Sequence, residues 1–597
     1  MAFFNTKTKL SVAASERSEL NLSHSHPTTS NFMELGVAEA MELVPKSSIE
    51  YSHRLFSRLE PMLVPTLGNA TIYNKAFFVP YRTVFPGFVD FDNDTEHVYA
   101  DGTTGFVTQV PCINNEILLQ LLLSFDCALQ RSEYSANADI TVYDGAEFKS
   151  YDFKPQGKLY KKIFEQLGYK VNPDLTDDSD HSALPLLCLL KVYLDWYFPS
   201  QYVGLDVYRD VEKFLKLDYE YAFTDNFDLS DLQRIMQIIS YVYYDNDLFV
   251  CSWDNPNGPN IGTSSDISIA NVDSPGNVAA SYGGHFDTSY TGPVGHTEGN
   301  QFSQRFSQFT LTALKSLTDY MKRHQIVGAR ALDRYLSRWG ISLDSDKLNR
   351  SYYLGGSKQE IKFGDVTSQS DTEGARLGYY AGQGISYGDG NYKFDCQEFG
   401  HFFILSTIIP EKIYYQGADP STQRLTKLDF YTPEFDNLGS EALPTTQVLV
   451  PSDAKVAFGG DSDHYIPWRE MVFGFVPRYA TYKVGRDKIT GDYALNSMSV
   501  SEKPWTMARD LIPVMEGGIG RKLDEFKHDL SFISSSDRDQ FNRLFYAENR
   551  LKDQFNIHHS FKVKCSFPGS SLYDSYKFEN EDESKKITVD VGTTKTN

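Results

Sequence analysis

Basic residues are in short supply in this chain. Its 597 residues include 57 Lys and Arg against 79 Asp and Glu, a formal net charge of −22. A protein dedicated to gripping nucleic acid neutralises phosphates with Lys and Arg. The charge balance excludes that class and leaves only local contacts with DNA, or contacts made through a basic partner. An acidic surface also keeps a concentrated protein soluble. Cysteine is scarce too: six residues (Cys112, Cys127, Cys188, Cys251, Cys396 and Cys565), with no CxxC and no clustered spacing. That excludes a disulfide frame or a zinc knuckle and reads as reduced core thiols of a cytoplasmic product. Long apolar runs are missing as well. The N-terminus, MAFFNTKTKL, has no signal-peptide core, and the most apolar stretch, residues 183–198, is cut by Lys191 and Asp195. It is too short to span a bilayer.

Reaction motifs are equally hard to find. Residues 460–464 read GDSDH rather than a GxSxG elbow, residues 382–388 (GQGISYG) miss the GxGxxG spacing, and there is no Walker loop. With 79 carboxylates no acid pair stands out as a catalytic dyad. Asp90, Asp92, Asp94 and Asp101 space like a calcium loop, but Thr95 holds the position where the sharp turn demands glycine. A polar surface loop is expected there. The histidine pairs His24/His26 and His558/His559 have no metal-ligand context and read as incidental. The expectation is no enzyme, no cofactor and no metal.

Aromatic residues are what the chain has in abundance, 14% of it, with 41 Gly and 25 Pro. Sheets and turns suit that composition better than a helical bundle. The length suggests about two to four domains, or one heavily elaborated one. Residues 1–47 are polar and Ser/Thr-rich and read as an arm ordered only in an assembly. Two extended segments follow from Ile49, the second over residues 72–79. Residues 111–130, 158–167, 184–197 and 229–243 read as helices, with Asn114 or Asn115 capping the first. Residues 254–300 are rich in Gly, Ser, Asn and Pro and contain no Leu, a composition shift that marks a long exposed loop. A helical pair is predicted over 306–339, a turn at 351–356 and a Gly/Tyr-rich loop at 374–390. Residues 402–409 are apolar on both alternating faces, the pattern of a strand buried on both sides, which Pro410 stops.

Several of these pieces resemble the major capsid proteins of the Microviridae, on the gokushovirus-like side of that family. Glu398 and Gly400 precede the apolar strand, and a Tyr415-Gln416-Gly417 turn follows it. Then come Asp429-Phe430-Tyr431, Pro433 and Leu438-Gly439, with Ser440 inserted before Glu441. Upstream, Phe77-Phe78-Val79-Pro80, Asp195-Trp196-Tyr197 and the SYYLGG of 351–356 match family segments; downstream, so do Phe473-Gly474-Phe475, Arg478-Tyr479-Ala480, Tyr482-Lys483 and Ile489-Thr490-Gly491. Pro199 departs from the family, which continues with a charged residue.

The resemblance implies a mainly β fold with helical insertions, an eight-stranded antiparallel jelly roll with long elaborated loops. On that reading residues 48–565 are the capsid domain, with a surface insertion at about 200–305 whose Gly/Ser/Asn-rich core is 254–300, and 566–597 are a C-terminal arm. The implied function is self-assembly, through pentamers, into a T=1 icosahedral shell around circular single-stranded DNA. Implied partners are a small basic DNA-packaging protein, scaffolding and pilot or minor proteins, and a host surface receptor, a glycan among the candidates. The location would be the virion, assembled in the bacterial cytoplasm. Lys322, Arg323, Arg330, Arg334 and Arg338 lie on one predicted helix face, as either a solvated stripe or a contact for DNA or the packaging protein. Phe430, Tyr431, Phe435, Arg478, Tyr479 and Tyr482 are candidate intersubunit anchors, because aromatics and Arg are enriched at contact centres; packing within the subunit is the plainer alternative. The rival reading is a carbohydrate-binding or carbohydrate-active β-sandwich, to be tested by glycan hydrolysis.

Overall fold

The twelve residues 48–59 (SIEYSHRLFSRL) bury every second side chain, as a strand with one face on the core must. Residues 70–80 (ATIYNKAFFVP) begin in the same way and end buried on both faces. The computed structural model describes residues 17–198, 228–252 and 349–568, less several stretches of which 521–540 is the longest, together with 214–215 and 339–340. Within it, nine strands form one antiparallel sheet: β1 (Arg17–Asn21), β2 (His24–Ser30), β3 (Leu35–Leu43), β4 (Ser48–Leu59), β5 (Ala70–Pro80), β6 (Tyr352–Thr367), β7 (Tyr380–Asp395), β8 (Gly400–Pro410) and β9 (Phe555–Pro568). Their order is β1–β9–β4–β7–β6–β5–β8–β3, and β2 also pairs with β9.

Strand β6 joins two halves of this sheet. Residues 352–361 pair with β5 and residues 362–367 with β7. The halves face each other: Tyr51 of β4 stacks on Phe402 of β8 with ring centroids 4.7 Å apart, although β7, β6 and β5 lie between them in the order. Ile49, Tyr51, Phe561 and Val563 from one half fill this interior with Ala76, Phe78, Phe402 and Ile404 from the other. The outer face of the β5–β8 half is covered by helices α1 (Asn115–Leu123), α2 (Pro155–Leu167), α3 (Leu184–Val192) and α4 (Leu229–Ile239). Their Leu118, Ile163, Leu187 and Ile235 share a core with Ile72, Phe77, Phe403 and Leu405. Strand β8 is therefore buried at every position, as its sequence pattern predicts.

The helices start and stop for local reasons. The Asn114 side chain accepts the Glu116 N–H at 2.8 Å at the start of α1. Helix α2 opens with Pro155 in its first turn and ends at Gly168 in the left-handed region, φ 93°. The helix expected over 111–130 is confined to α1, because short strands at Cys112–Asn114 and Ala128–Gln130 flank it.

Three local expectations are corrected. Residues 17–43 are strands rather than a free arm: β1 and β2 pair along β9, and β3 pairs with β8. Residues 352–356 open β6 instead of forming a turn, with a bulge between Tyr353 and Gly355. The Gly/Tyr-rich segment continues as β7 from Tyr380, paired with both β4 and β6. Glycine weakens an isolated strand, but at Gly388 the missing Cβ leaves room for the Gln359 side-chain amide of β6, which a larger residue would push aside. The expected insertion core at 254–300, the helical pair at 306–338 and the tail beyond Pro568 lie outside the described residues.

Candidate assembly surface

The motif residues are the fasteners of this frame. Glu398 takes Arg82 in a two-pronged ion pair, 2.6 and 3.1 Å, which ties the start of β8 to the end of β5. Asp195 accepts both the N–H and the hydroxyl of Ser351 at 2.8 Å and pairs with Lys191 at 3.1 Å. Trp196 donates its indole N–H to the Ser351 hydroxyl at 2.9 Å, and the Arg350 guanidinium lies over its ring at 3.9 Å. Two motifs separated by about 150 residues thus form one junction at the start of β6. At Gly417, a Cβ would meet the Gln447 carbonyl oxygen at 1.9 Å, which accounts for glycine in the Tyr-Gln-Gly turn.

Beyond Gly417 the chain makes two short 3-10 turns, Lys427–Asp429 and Pro433–Phe435. Asp429 builds the first by accepting the N–H groups of Thr426 and Leu425 at 2.6 and 2.9 Å. Those donors hold its carboxyl below the usual carboxylate range. Against this loop lies the end of the strand Val472–Pro477 and the helical turn Ala480–Lys483. Tyr479 enters that turn in the left-handed conformation, φ 63°, which aims its ring inward. The sequence-predicted residues meet here. Tyr431, Tyr479 and Tyr482 form a triangle with centroids 5.0, 5.9 and 6.0 Å apart. The Arg478 guanidinium lies 5.0 Å from the Phe435 ring and 5.2 Å from that of Tyr479. The Tyr482 hydroxyl accepts the Tyr431 N–H at 3.2 Å and donates to the Asp429 carbonyl at 3.3 Å.

Tyr479 is buried beneath the cluster, whereas Phe430, Tyr431 and Tyr482 are 55%, 44% and 41% exposed. Sequence reasoning missed Arg424, whose guanidinium stacks 3.6 Å from the Tyr482 ring, and its neighbour Leu425, 86% exposed. It also missed the Lys483–Asp436 pair at 2.5 Å that closes the rim. No local sequence signal marks either residue, because their exposure and stacking are set by the turn geometry and by Tyr482, which is distant in sequence. Half-buried Glu441 lies close by, and burial pushes its carboxyl up despite Arg478 and Arg424. Lys322, Arg323, Arg330, Arg334 and Arg338 lie outside the described residues.

Of the two histidine pairs, His24, His26 and His559 take part in packing the sheet. His26 of β2 and His559 of β9 are register partners, and His559 Nδ1 lies 2.9 Å from Nε2 of His53 on β4. Burial pushes His53 down to about 4 and His559 well below the usual imidazole range, so both sit neutral in the sheet. His24 goes the other way, held up by Glu39. Among the described residues no group of three or more His, Cys, Asp or Glu is arranged to hold a metal ion. No helix among them is long and apolar enough to cross a membrane.

The antiparallel sheet backed by helices thus carries one patch where partly exposed aromatic rings and stacked arginines meet. The model of the phage family described as capsid protein (F protein) matches residues 8–114 and 307–565, more than half of the chain, and the chain belongs to that family, the capsid proteins of the Microviridae. It is similar to capsid protein VP1 of Chlamydia phage 1, 22% identical over 552 residues that cover 85% of this chain and 89% of that protein. Capsid protein VP1 of Bdellovibrio phage phiMH2K is 21% identical over 499 residues, 80% of this chain and 83% of that one.

Proposed function

We propose that the chain is the major capsid protein of its phage and self-assembles, through pentamers, into a T=1 icosahedral shell around circular single-stranded DNA. The observation that carries the reading is the exposed Tyr431–Tyr482 patch with Arg424 and Arg478, an aromatic and arginine surface suited to a buried intersubunit contact. Two facing sheet halves joined at β6 support an eight-stranded jelly roll, with short N-terminal strands added along β9. Of the insertion expected at about 200–305, α4 and the residues up to Val250 pack into the core instead; its Gly/Ser/Asn-rich part, residues 254–300, falls between the two family-matched blocks, and we assign that part to host attachment through a receptor, a glycan among the candidates. With a net charge of −22, genome contact falls to the basic residues Lys322, Arg323, Arg330, Arg334 and Arg338, which share one face of a helix expected from the sequence, and to a small basic packaging protein. Scaffolding and pilot proteins complete the partners, and assembly takes place in the bacterial cytoplasm.

Sedimentation velocity near physiological salt, alone and with the neighbouring viral proteins, tests this. The expected result is a discrete pentamer-sized species or full shells, reduced to monomer by Tyr431→Ala combined with Tyr482→Ala. A wild-type monomer at high concentration with those proteins present overturns it.

A further inference from the structure

A lysine is held between two carboxylates where three distant parts of the chain meet. Lys162, on α2, points into the junction between the segment leading into β3 and Asp553, two residues before β9. Its Nζ lies 2.7 Å from Asp553 Oδ2 and 2.9 Å from Glu34 Oε2. The three side chains are only 15%, 21% and 3% exposed. Asn31 bridges the two acids, its Nδ2 donating to Asp553 Oδ1 at 2.9 Å and to Glu34 Oε1 at 2.7 Å. The Thr29 hydroxyl donates to Asp553 Oδ2. One wall is aromatic: Phe32, next to Asn31, packs against Phe541 and Phe555 at 5.0 and 4.8 Å.

We propose that Lys162 and Asp553 condense into an intramolecular amide cross-link, with Glu34 relaying the protons. The Nζ lone pair attacks Cγ of Asp553, so that a C–N bond forms and the C–Oδ2 bond breaks. Two of the three ammonium protons leave with that oxygen as water, and the third remains on the amide nitrogen. Glu34, in contact with Nζ, accepts a proton and returns it to the departing oxygen, ending unchanged. No oxidant or cofactor is needed. Asn31 Nδ2 faces Oδ1, the oxygen that carries negative charge in the tetrahedral intermediate and becomes the amide carbonyl.

The obstacle is that an ammonium is no nucleophile. Burial works to lower the pKa of Lys162, but Glu34 and Asp553 outweigh it and hold the amine protonated at rest. Burial likewise pushes Asp553 up, and Lys162, Thr29 and Asn31 together bring it below its usual range. The reactive pair, neutral amine and neutral acid, is therefore a minor state. It is reached by moving one proton inside the cluster without changing its total charge. A dry site favours a neutral pair over an ion pair relative to water, and the ion pair already holds Nζ against the carboxylate it attacks, so no encounter between separate molecules is needed. The reaction removes water from a packed junction and is not undone once complete.

The test is the intact mass of the folded, purified full-length chain measured after denaturation. The expected mass is lower than that of the sequence by one water, and proteolysis releases a branched peptide joining the segments around Lys162 and Asp553. Glu34→Gln and Lys162→Arg, the second keeping the positive charge, each restore the full sequence mass. A wild-type chain at the full sequence mass overturns the proposal whatever the variants do, and so does a water loss that maps to any other pair of residues.

Discussion

Strands β8 and β2 belong to one antiparallel sheet and are held in it by different means. Strand β8, GHFFILSTIIP, is buried at all of its positions, between the facing half-sheet and the helices. Its place follows from its own apolar side chains, each worth roughly 1.5–3 kcal/mol when fully buried. Strand β2, HSHPTTS, has no aliphatic residue and is mostly exposed. Its order comes from backbone pairing to β9 and from rings that reach across strands, His24 to Phe561 at 5.1 Å and His26 to His559 at 6.0 Å. Pro27 fits such a strand because an edge position does not need every N–H. A strand that carries its own hydrophobic pattern can be read from the chain, whereas one that borrows its partner's cannot.

The sharpest way to break this comparison is Phe403→Ala in β8. A large cavity in a packed core costs about 3–5 kcal/mol, so the denaturant midpoint should fall steeply. A change below about 1 kcal/mol would show that β8 is not the centre of the core.

Acid probes the polar side of the comparison. His53 is pushed down to about 4 by burial, against 6.5 when unfolded. Its folded form stays neutral while the unfolded chain takes up a proton, so stability falls as pH drops from 6.5 toward 4. The loss is on the order of 3 kcal/mol for this one residue. His559, also lowered, adds in the same direction. His24 has the opposite sign, because its raised pKa contributes stability at low pH that is lost as pH rises through it. Unfolding free energy measured across this range should show the net decline toward acid, and His53→Phe should flatten it. An unchanged slope in that variant would rule out the buried pair as its source.

The smallest effect is expected at β2. His26→Ala removes the contact of Nδ1 with the Ala38 carbonyl at 2.8 Å, at a cost of about 1 kcal/mol. Amide exchange along β1 and β2 should quicken while that of β8 stays slow. If His26→Ala costs as much as Phe403→Ala, the two strands are not held by different means after all.

The sequence by itself determined the elements that bury their own pattern. Strand β8, the aromatic end of β5 and the helices α1, α2 and α3 were visible as runs of apolar residues with the right period, and Asn114 as one of two candidate caps. The members of the exposed patch were also visible, but as two separate stretches, 430–435 and 478–482. Only the tertiary structure decided that Tyr431 and Tyr482 share a hydrogen bond, that His53 sits against His559, and that Lys162 lies between Glu34 and Asp553. The same holds for β1, β2 and the glycine-rich β7, whose order depends on what lies beside them. Hydrophobic periodicity is local and survives in one dimension. The pairing of distant polar groups is set by strand register and by what the fold removes from water, and neither exists until the chain has closed on itself.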